Sequence, residues 1–351
     1  MPLDNASKHA GDFGDGDVRG PMWPIFLVAV TAIVLLLARR LSSSTQTSQR
    51  YVSSVSTMIG GQRVQDGALL LWTIALFAPT GTKVFVASDK PTIDWFEMRM
   101  PSLMQTLDIS WSYSLDGYNM TMQRGDMIKT GVWSDFQMEK ARIMEYALTQ
   151  VNDTVFLDAD CMVLSPIPLP PLSSGAQMGL SPHYMRVLDS RDYGFFNGGL
   201  AWTNQASMPR DWIAATRVSR YYDQTALEDL AEWYRTYLFG TETDLGWWRI
   251  KHGEESEDSF WRKIKLDSQE RIAFNGKPVD TTHAHFLTAD HGNSESFVSG
   301  ILNLMKRSRR YSELLSIIDW GRRDFLPPVP RVAFVGIGAR SNRRRETEED
   351  Y

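Results

Sequence analysis

From Tyr51 onward, short runs of apolar residues alternate with segments in which apolar positions recur every three or four residues. Short runs of that kind read as buried strands and the recurring pattern as helices with one face on a sheet. Val52 to Ile59 reads as a strand turned by Gly60 and Gly61, Gln65 to Phe77 as a helix, and Thr82 to Ser88 as a second strand. Ile93 to Thr106 is a mixed helix and Ile109 to Leu115 a third strand, which makes a βαβαβ opening. The next helix carries Met138, Ala141, Met144, Ala147, Leu148 and Val151 on one stripe and delivers the chain to the strand Thr154 to Leu157.

Beyond that strand, Pro166, Pro168, Pro170 and Pro171 mark a loop. Strands follow at Ala176 to Leu180 and Phe195 to Trp202, and helices at Asp211 to Tyr221 and Thr225 to Leu238. Thr225-Ala-Leu-Glu228 fits a capping box, which places Asp223 and Gln224 in the loop before the helix. A charged, Trp-rich stretch runs to about Asp267, with strands near Arg271 to Phe274 and Asp280 to Phe286. The alternation predicts an α/β domain over residues 51–320, built on a mostly parallel sheet with helices on both faces. Residues 321–351 read as a solvated, disordered tail.

Upstream, Met22 to Ala38 is uncharged and is closed by Arg39-Arg40. As a helix this run would be about 25 Å long, enough for a thin bilayer. The expected layout is an N-terminal tail at 1–21, a single transmembrane helix at 22–38 and a polar stalk at 39–50. The apolar run lacks the basic start and small-residue cleavage site of a secretory signal. Its orientation is open. Arg39, Arg40 and Arg50 follow the span, against Lys8 and Arg19 before it, which favours a cytosolic catalytic side. The sequons at Asn119 and Asn152 favour a lumen, the Golgi apparatus or endoplasmic reticulum.

Composition narrows the classes. The 351 residues are 43% hydrophobic, with 37 basic against 42 acidic residues and a net charge of −5, so the chain can bury an ordinary core. It has no sustained basic stripe to replace counterions on phosphates, so nucleic acid is not an expected partner. Cys161 is alone, which excludes an internal disulfide and a multi-Cys zinc site.

The strongest local signal is Thr154-Val-Phe-Leu-Asp158-Ala-Asp160, an apolar strand ending in two carboxylates. On a strand, positions two apart share a face about 6.6 Å apart, where one divalent cation meets both. In open α/β sheets, ligands bind at the carboxyl ends of strands. A solvated acidic turn is the ordinary alternative.

Further stretches follow in a fixed order: Lys140 opening the preceding helix, Phe196-Asn197-Gly198-Gly199 leading into an apolar strand, Asp223-Gln224, and His285-Phe286-Leu287. Together with Asp158-Ala-Asp160 they resemble the GT-A-fold glycosyltransferases that use nucleotide-diphospho-sugars, in particular the glycogenin-like branch, glycosyltransferase family 8. The resemblance spans roughly residues 52–291. It implies a Rossmann-like GT-A domain and a metal-dependent transfer of sugar from a nucleoside diphosphate, UDP by expectation, to a glycan, protein or lipid acceptor with retention of configuration.

By that resemblance Asp158, Asp160 and His285 hold Mn²⁺ or Mg²⁺, which stabilises the departing diphosphate as a Lewis acid. His283, two residues away, is the alternative ligand. The resemblance further implies that Lys140, Asp158, Asn197, Gly198 and Gly199 contact the donor and that Asp223 and Gln224 occupy catalytic positions. The family often has Ser where Gly198 stands, and its Gly and Lys-Pro-Trp ending after the His is absent. His183, His252 and His291 read as ordinary structural imidazoles, and Trp247, Trp248 and Trp261 as packing residues or sugar-stacking faces. Two other readings stay open. Asp-x-Asp after a strand is also the nucleophile motif of haloacid dehalogenase-type phosphohydrolases, although these have Thr where Met162 stands, and an inactive scaffold of the same fold would carry the same residues.

Overall fold

The computed structural model describes residues 50–287 and 294–324. The expected anchor at 22–38, the stalk up to residue 49, His291 and the tail beyond Asp324 lie outside the described residues. Among the described residues no helix is long and apolar enough to cross a membrane.

The main sheet has seven strands. They are β1 (Ser54–Ile59), β2 (Lys83–Ser88), β3 (Asp108–Ser112), β4 (Thr154–Leu157), β6 (Met178–Pro182), β7 (Phe196–Thr203) and β8 (Thr236–Leu238), ordered β3-β2-β1-β4-β7-β6-β8. A second, three-stranded sheet joins β5 (Cys161–Val163), β13 (Thr281–His283) and β9 (Leu245–Gly246), with β13 in the middle. A third comprises β10 (Ile264–Leu266), β11 (Ile272–Phe274) and β12 (Lys277–Pro278).

In the main sheet β7 alone runs against its neighbours: β1, β2, β3 and β4 pair in parallel, β6 pairs in parallel with β8, and β7 is antiparallel to both β4 and β6. The reversal brings the first residues of β7 to the carboxyl end of β4, with Leu157 opposite Leu200 and Asp158 N–H donating to Gly199 O at 3.0 Å.

Helices cover both faces. In chain order they are α1 (Val64–Phe77), α2 (Lys90–Arg99), α3 (Pro101–Thr106), α4 (Arg124–Lys129), α5 (Trp133–Gln137), α6 (Glu139–Leu148), α7 (Val187–Tyr193), α8 (Met208–Thr216), α9 (Tyr222–Trp233), α10 (Trp248–Lys251), α11 (Glu257–Arg262), α12 (Glu295–Lys306) and α13 (Ser312–Asp324). The stripe expected on α6 is present: Met138, Ala141, Met144 and Ala147 are buried with Ile143 against Phe85, Phe156, Leu180 and Ala201 of the sheet. Trp212 of α8 and Leu227 and Leu230 of α9 complete that layer. Each large apolar side chain so buried contributes roughly 1.5–3 kcal/mol. On the opposite face α1 packs at Gly67 against the Ile59 side chain, closely enough that a Cβ at Gly67 would overlap it.

Several boundaries differ from the sequence expectation. The third strand ends at Ser112, and Ser114–Gly117 forms a 3₁₀ turn that buries Leu115. Helix α9 begins at Tyr222, so Asp223 and Gln224 lie in its first turn and not in the preceding loop. The capping box does not form. The Glu228 carboxylate accepts from Phe195 N at 2.7 Å and pairs with Arg220, while Thr225 Oγ1 accepts from Tyr221 N at 2.9 Å. Helix α13 continues through Asp324, past the expected domain end at 320. Short, weakly periodic helices such as α4, α5 and α7 carry too few turns to show a stripe in sequence.

Candidate functional site

The site lies at the carboxyl end of β4. Asp158 and Asp160 do not continue the strand. They occupy a turn closed by Cys161 N–H donating to Asp158 O at 3.0 Å, after which the chain enters β5. Strand β5 pairs antiparallel with β13, placing His283 opposite Cys161, and β13 pairs in parallel with β9, placing His283 opposite Gly246. Ala284 N–H donates to Asp160 O at 3.0 Å, which locks the turn to the end of β13. Two carboxylates and an imidazole distant in sequence are thus joined by a strand ladder.

Asp158, Asp160 and His283 each offer a ligand atom, and these atoms lie within 4.8 Å of one another. His283 Nε2 is 3.2 Å from Asp160 Oδ1 and 3.9 Å from Asp158 Oδ2. The imidazole within that group is His283, the alternative to the His285 that the family resemblance implied. His285 lies alongside, its Nε2 3.5 Å from Asp160 Oδ2 and its Nδ1 3.0 Å from Asp66 Oδ2. Burial by itself would lower the His283 imidazole, but the Cys161 sulfur and then the Asp160 and Asp244 carboxylates hold it well above its ordinary value. Burial opposes ionisation of Asp160 as well, yet His283 holds that carboxyl below the usual range. Two carboxylates and an imidazole that yields its proton to an incoming cation are a donor set that suits a divalent ion such as Mn²⁺.

Lys140 reaches the same rim from α6. Its buried ammonium donates to Asp223 Oδ2 at 3.0 Å and Gly198 O at 3.3 Å, and it lies 3.1 Å from Asp158 Oδ1. Burial would depress this ammonium, but Asp158 and Asp223 raise it above the ordinary lysine range. It stays charged. For Asp158, burial pushes the carboxyl up and Asp160 adds to the effect, against the pull of Lys140.

The glycines before β7 are there for space. A Cβ on Gly199 would lie 2.6 Å from Asp158 Oδ2 and closer still to the His283 ring. A Cβ on Gly198 would overlap Asp223 Oδ2, so the Ser expected from the resemblance has no room here. Asn197 is buried; its Oδ1 accepts from Gly199 N at 2.9 Å and its Nδ2 donates to Asp244 Oδ2 at 2.6 Å.

A cavity of about 380 Å³ opens beside these groups, lined in part by Gly60, Arg63, Lys140, Asp158, Asp160, Asp223 and Gln224. Its far wall is aromatic and sulfur-rich: Trp133, Phe136, Tyr221, Tyr222, Met120 and Met122. Arg124 lies 5.0 Å over the Trp133 ring and donates to the Tyr221 hydroxyl at 3.0 Å. Tyr222 has φ +45°, a conformation that a bulky side chain adopts only under constraint, directly before Asp223. Gln224 Nε2 donates to Tyr193 O at 3.1 Å.

The anticipated aromatic faces fall elsewhere. Trp248 is buried, its ring edge-on to His283 at 4.9 Å, and its indole N–H donates to His183 O at 2.9 Å. Trp261 packs on Phe260 and Phe297. Neither Trp248, Trp261 nor Trp247 lines the cavity. His183 is structural: buried, 3.4 Å from Gly194 O, and lowered to about 4 by burial. His252 pairs with Asp189 at 3.3 Å.

No protein-family model matches the chain, and no curated protein matches it. Among solved structures it is similar to the galactosyltransferase LgtC in complex with donor and acceptor sugar analogues. The identity there is 11% over 73% of this chain and 96% of that one, with a TM-score of 0.43. It is also similar to mouse xyloside xylosyltransferase 1, with 11% identity over 66% and 97% of the two chains and a TM-score of 0.38. A third is the glycosyltransferase GlyE of Streptococcus pneumoniae TIGR4, with 12% identity over 77% and 63% and a TM-score of 0.46. Likenesses this distant say nothing of substrate.

Sequence reasoning missed Asp66, Asp244 and the Arg124–Trp133 wall. Asp66 had a signal, the lone charge in the otherwise uncharged α1. Asp244 had none, since it sits in an irregular stretch without periodicity.

Proposed function

We propose that this chain is a metal-dependent glycosyltransferase that moves a sugar from a nucleoside diphosphate, UDP by preference, to an acceptor. The observation that carries this reading is the Asp158, Asp160 and His283 group at the tip of a central strand, beside a cavity that also holds Lys140, Asp223 and Gln224. The donor set fits Mn²⁺, and these three residues would hold it. When bound, the cation supplies Lewis-acid stabilisation to the charge that develops on the departing diphosphate.

The chain's own residues do the rest. Lys140 neutralises Asp158 and Asp223 and fixes both at the rim of the cavity. Asp223 and Gln224 line the cavity, where Asp223 would bond sugar hydroxyls and Gln224 would lie beside the anomeric carbon. Retention of configuration is what the family resemblance implies. Asn197, Gly198 and Gly199 do not line the cavity; they act from behind, the glycines leaving room for Asp223, Asp158 and His283 and Asn197 bracing Asp244.

The run at 22–38 would tether the catalytic domain on the luminal side of the Golgi or endoplasmic reticulum. Both sequon asparagines, Asn119 and Asn152, are exposed. The deciding experiment incubates the full-length protein with a panel of nucleotide sugars with and without Mn²⁺. Metal-dependent release of UDP or GDP is expected; release of phosphate from simple esters, or no turnover with any donor, would overturn the reading.

A further inference from the structure

The Asp160 carboxylate lies between two imidazoles. His283 Nε2 faces one oxygen at 3.2 Å and His285 Nε2 faces the other at 3.5 Å. Each ring presents its other nitrogen to a carboxylate buried in the protein. His285 Nδ1 is 3.0 Å from Asp66 Oδ2, and His283 Nδ1 is 3.6 Å from Asp244 Oδ1. The Asp66 and Asp244 side chains are 1% and 0% exposed.

We propose that His283 and His285 both ligate the cation, each aimed by a buried carboxylate at its Nδ1, Asp244 for His283 and Asp66 for His285. The inference rests on the cation-binding reading of the same site and changes its composition, from three ligands to two carboxylates and two imidazoles; His285 lies outside the group of three and reaches it through Asp160, so ligation draws its ring toward the ion.

The carboxylates support it. Asp66 Oδ2 lies 3.0 Å from His285 Nδ1, and Asp244 Oδ1, the oxygen that faces His283 Nδ1, is buried without a hydrogen-bond partner, a costly state for a carboxylate oxygen. Asn197 Nδ2 donates to the other Asp244 oxygen at 2.6 Å and lies 3.1 Å from His283 Nδ1, and Asp244 Oδ1, 3.6 Å from the same Nδ1, is the acceptor that a proton carried there would serve. A ring that carries its proton on Nδ1 has its lone pair on Nε2, which is the form a metal requires. Carboxylates behind metal-bound imidazoles fix tautomer and ring orientation in this way. Arg63, 3.6 Å from Asp66 Oδ2, balances the second of these carboxylates.

The chemical consequence is selectivity. Mg²⁺ prefers oxygen ligands in a near-ideal octahedron, whereas Mn²⁺, Co²⁺ and Zn²⁺ accept imidazole nitrogen more readily. Two imidazoles tilt the site toward the latter ions.

The test titrates Mn²⁺ into the full-length protein, without nucleotide or sugar. Affinity is read by electron paramagnetic resonance and coordinated nitrogen by pulsed measurement of ¹⁴N modulation. Two imidazole nitrogens are expected, falling to one in His283→Gln and in His285→Gln, with Mn²⁺ bound about ten-fold or more weakly. Asp66→Asn should weaken the His285 signal alone and Asp244→Asn that of His283 alone. Should His285→Gln fail to fold by circular dichroism, Asp66→Asn decides the question in its place. A single nitrogen in the unaltered protein, or unchanged Mn²⁺ affinity and modulation in His285→Gln, overturns the inference. Sugar transfer with one nitrogen would sink this inference and leave the proposed function standing; two nitrogens without release of nucleotide would do the reverse.

Discussion

Lys140 Nζ and Asp223 Oδ2 meet at 3.0 Å across 83 residues of sequence, both buried. The contact ties the helix that precedes the acidic turn to the helix that carries Asp223 and Gln224, so the two halves of the domain converge on one ammonium. Lys140→Met leaves Asp223 and Asp158 without their countercharge. The expected loss is about 3–5 kcal/mol of stability, with a fall in melting temperature and no measurable turnover. An unchanged melting temperature would mean the pair is not formed in solution.

Asp158→Asn and Asp160→Asn should each abolish metal-dependent nucleotide release while the melting temperature stays within a few degrees, because amide replaces carboxylate at nearly equal volume. Retained turnover in the double variant would discard the cation assignment. Chelation of the unaltered protein should give the same loss, reversed by added Mn²⁺.

Gly198→Ser, the residue that the family resemblance leads one to expect, should harm this chain. The new side chain meets Asp223 Oδ2, which cannot move without breaking its bond to Lys140. Overpacking of this kind costs about 1–3 kcal/mol. The measurement is the denaturation midpoint together with turnover; a neutral outcome on both would show that Asp223 is not held where the structure has it.

Asp280 gives a pH signature away from the rim. Burial raises its carboxyl to about 7, although Ser165 and Thr243 donate to it at 2.7 and 2.9 Å. Its folded-state value lies above the unfolded one, so its stabilising contribution is complete below about pH 4 and is lost as pH rises through about 7. The slope across that window is about 1.4 kcal/mol per pH unit. Asp280→Asn removes this dependence and should melt higher than the unaltered protein at pH 8. Parallel stability curves for the two proteins from pH 4 to 8 would contradict it.

If the catalytic domain is luminal, glycosidase treatment of the protein from a eukaryotic host should increase its mobility, and Asn119→Gln with Asn152→Gln should remove that shift. A domain on the cytosolic side gives no shift in either protein.

What could be read in the sequence was whatever left a periodic or ordered trace. The apolar runs located β1, β2 and β4, and the three-and-four spacing of Met138, Ala141, Met144 and Ala147 gave α6 its buried face. The spacing of Asp158 and Asp160 pointed to a shared ligand, although a turn rather than a strand face brings them together. What stayed hidden depended on pairings far apart in the chain. The choice between His283 and His285 turns on the β5–β13 register, which no local pattern encodes. Asp223 and Gln224 were misplaced by one turn because Glu228, a capping residue by its spacing alone, is taken by Phe195 and Arg220.

The three-stranded ladder of β5, β13 and β9 has an implication for how the chain can be divided. All seven strands of the main sheet are complete by Leu238, well before Thr281. A fragment ending between those two points would keep both rim aspartates but lose the imidazoles together with the partner strand of β5 and the helix that packs on α1, so the last quarter of the domain completes the core and the ion site in one step.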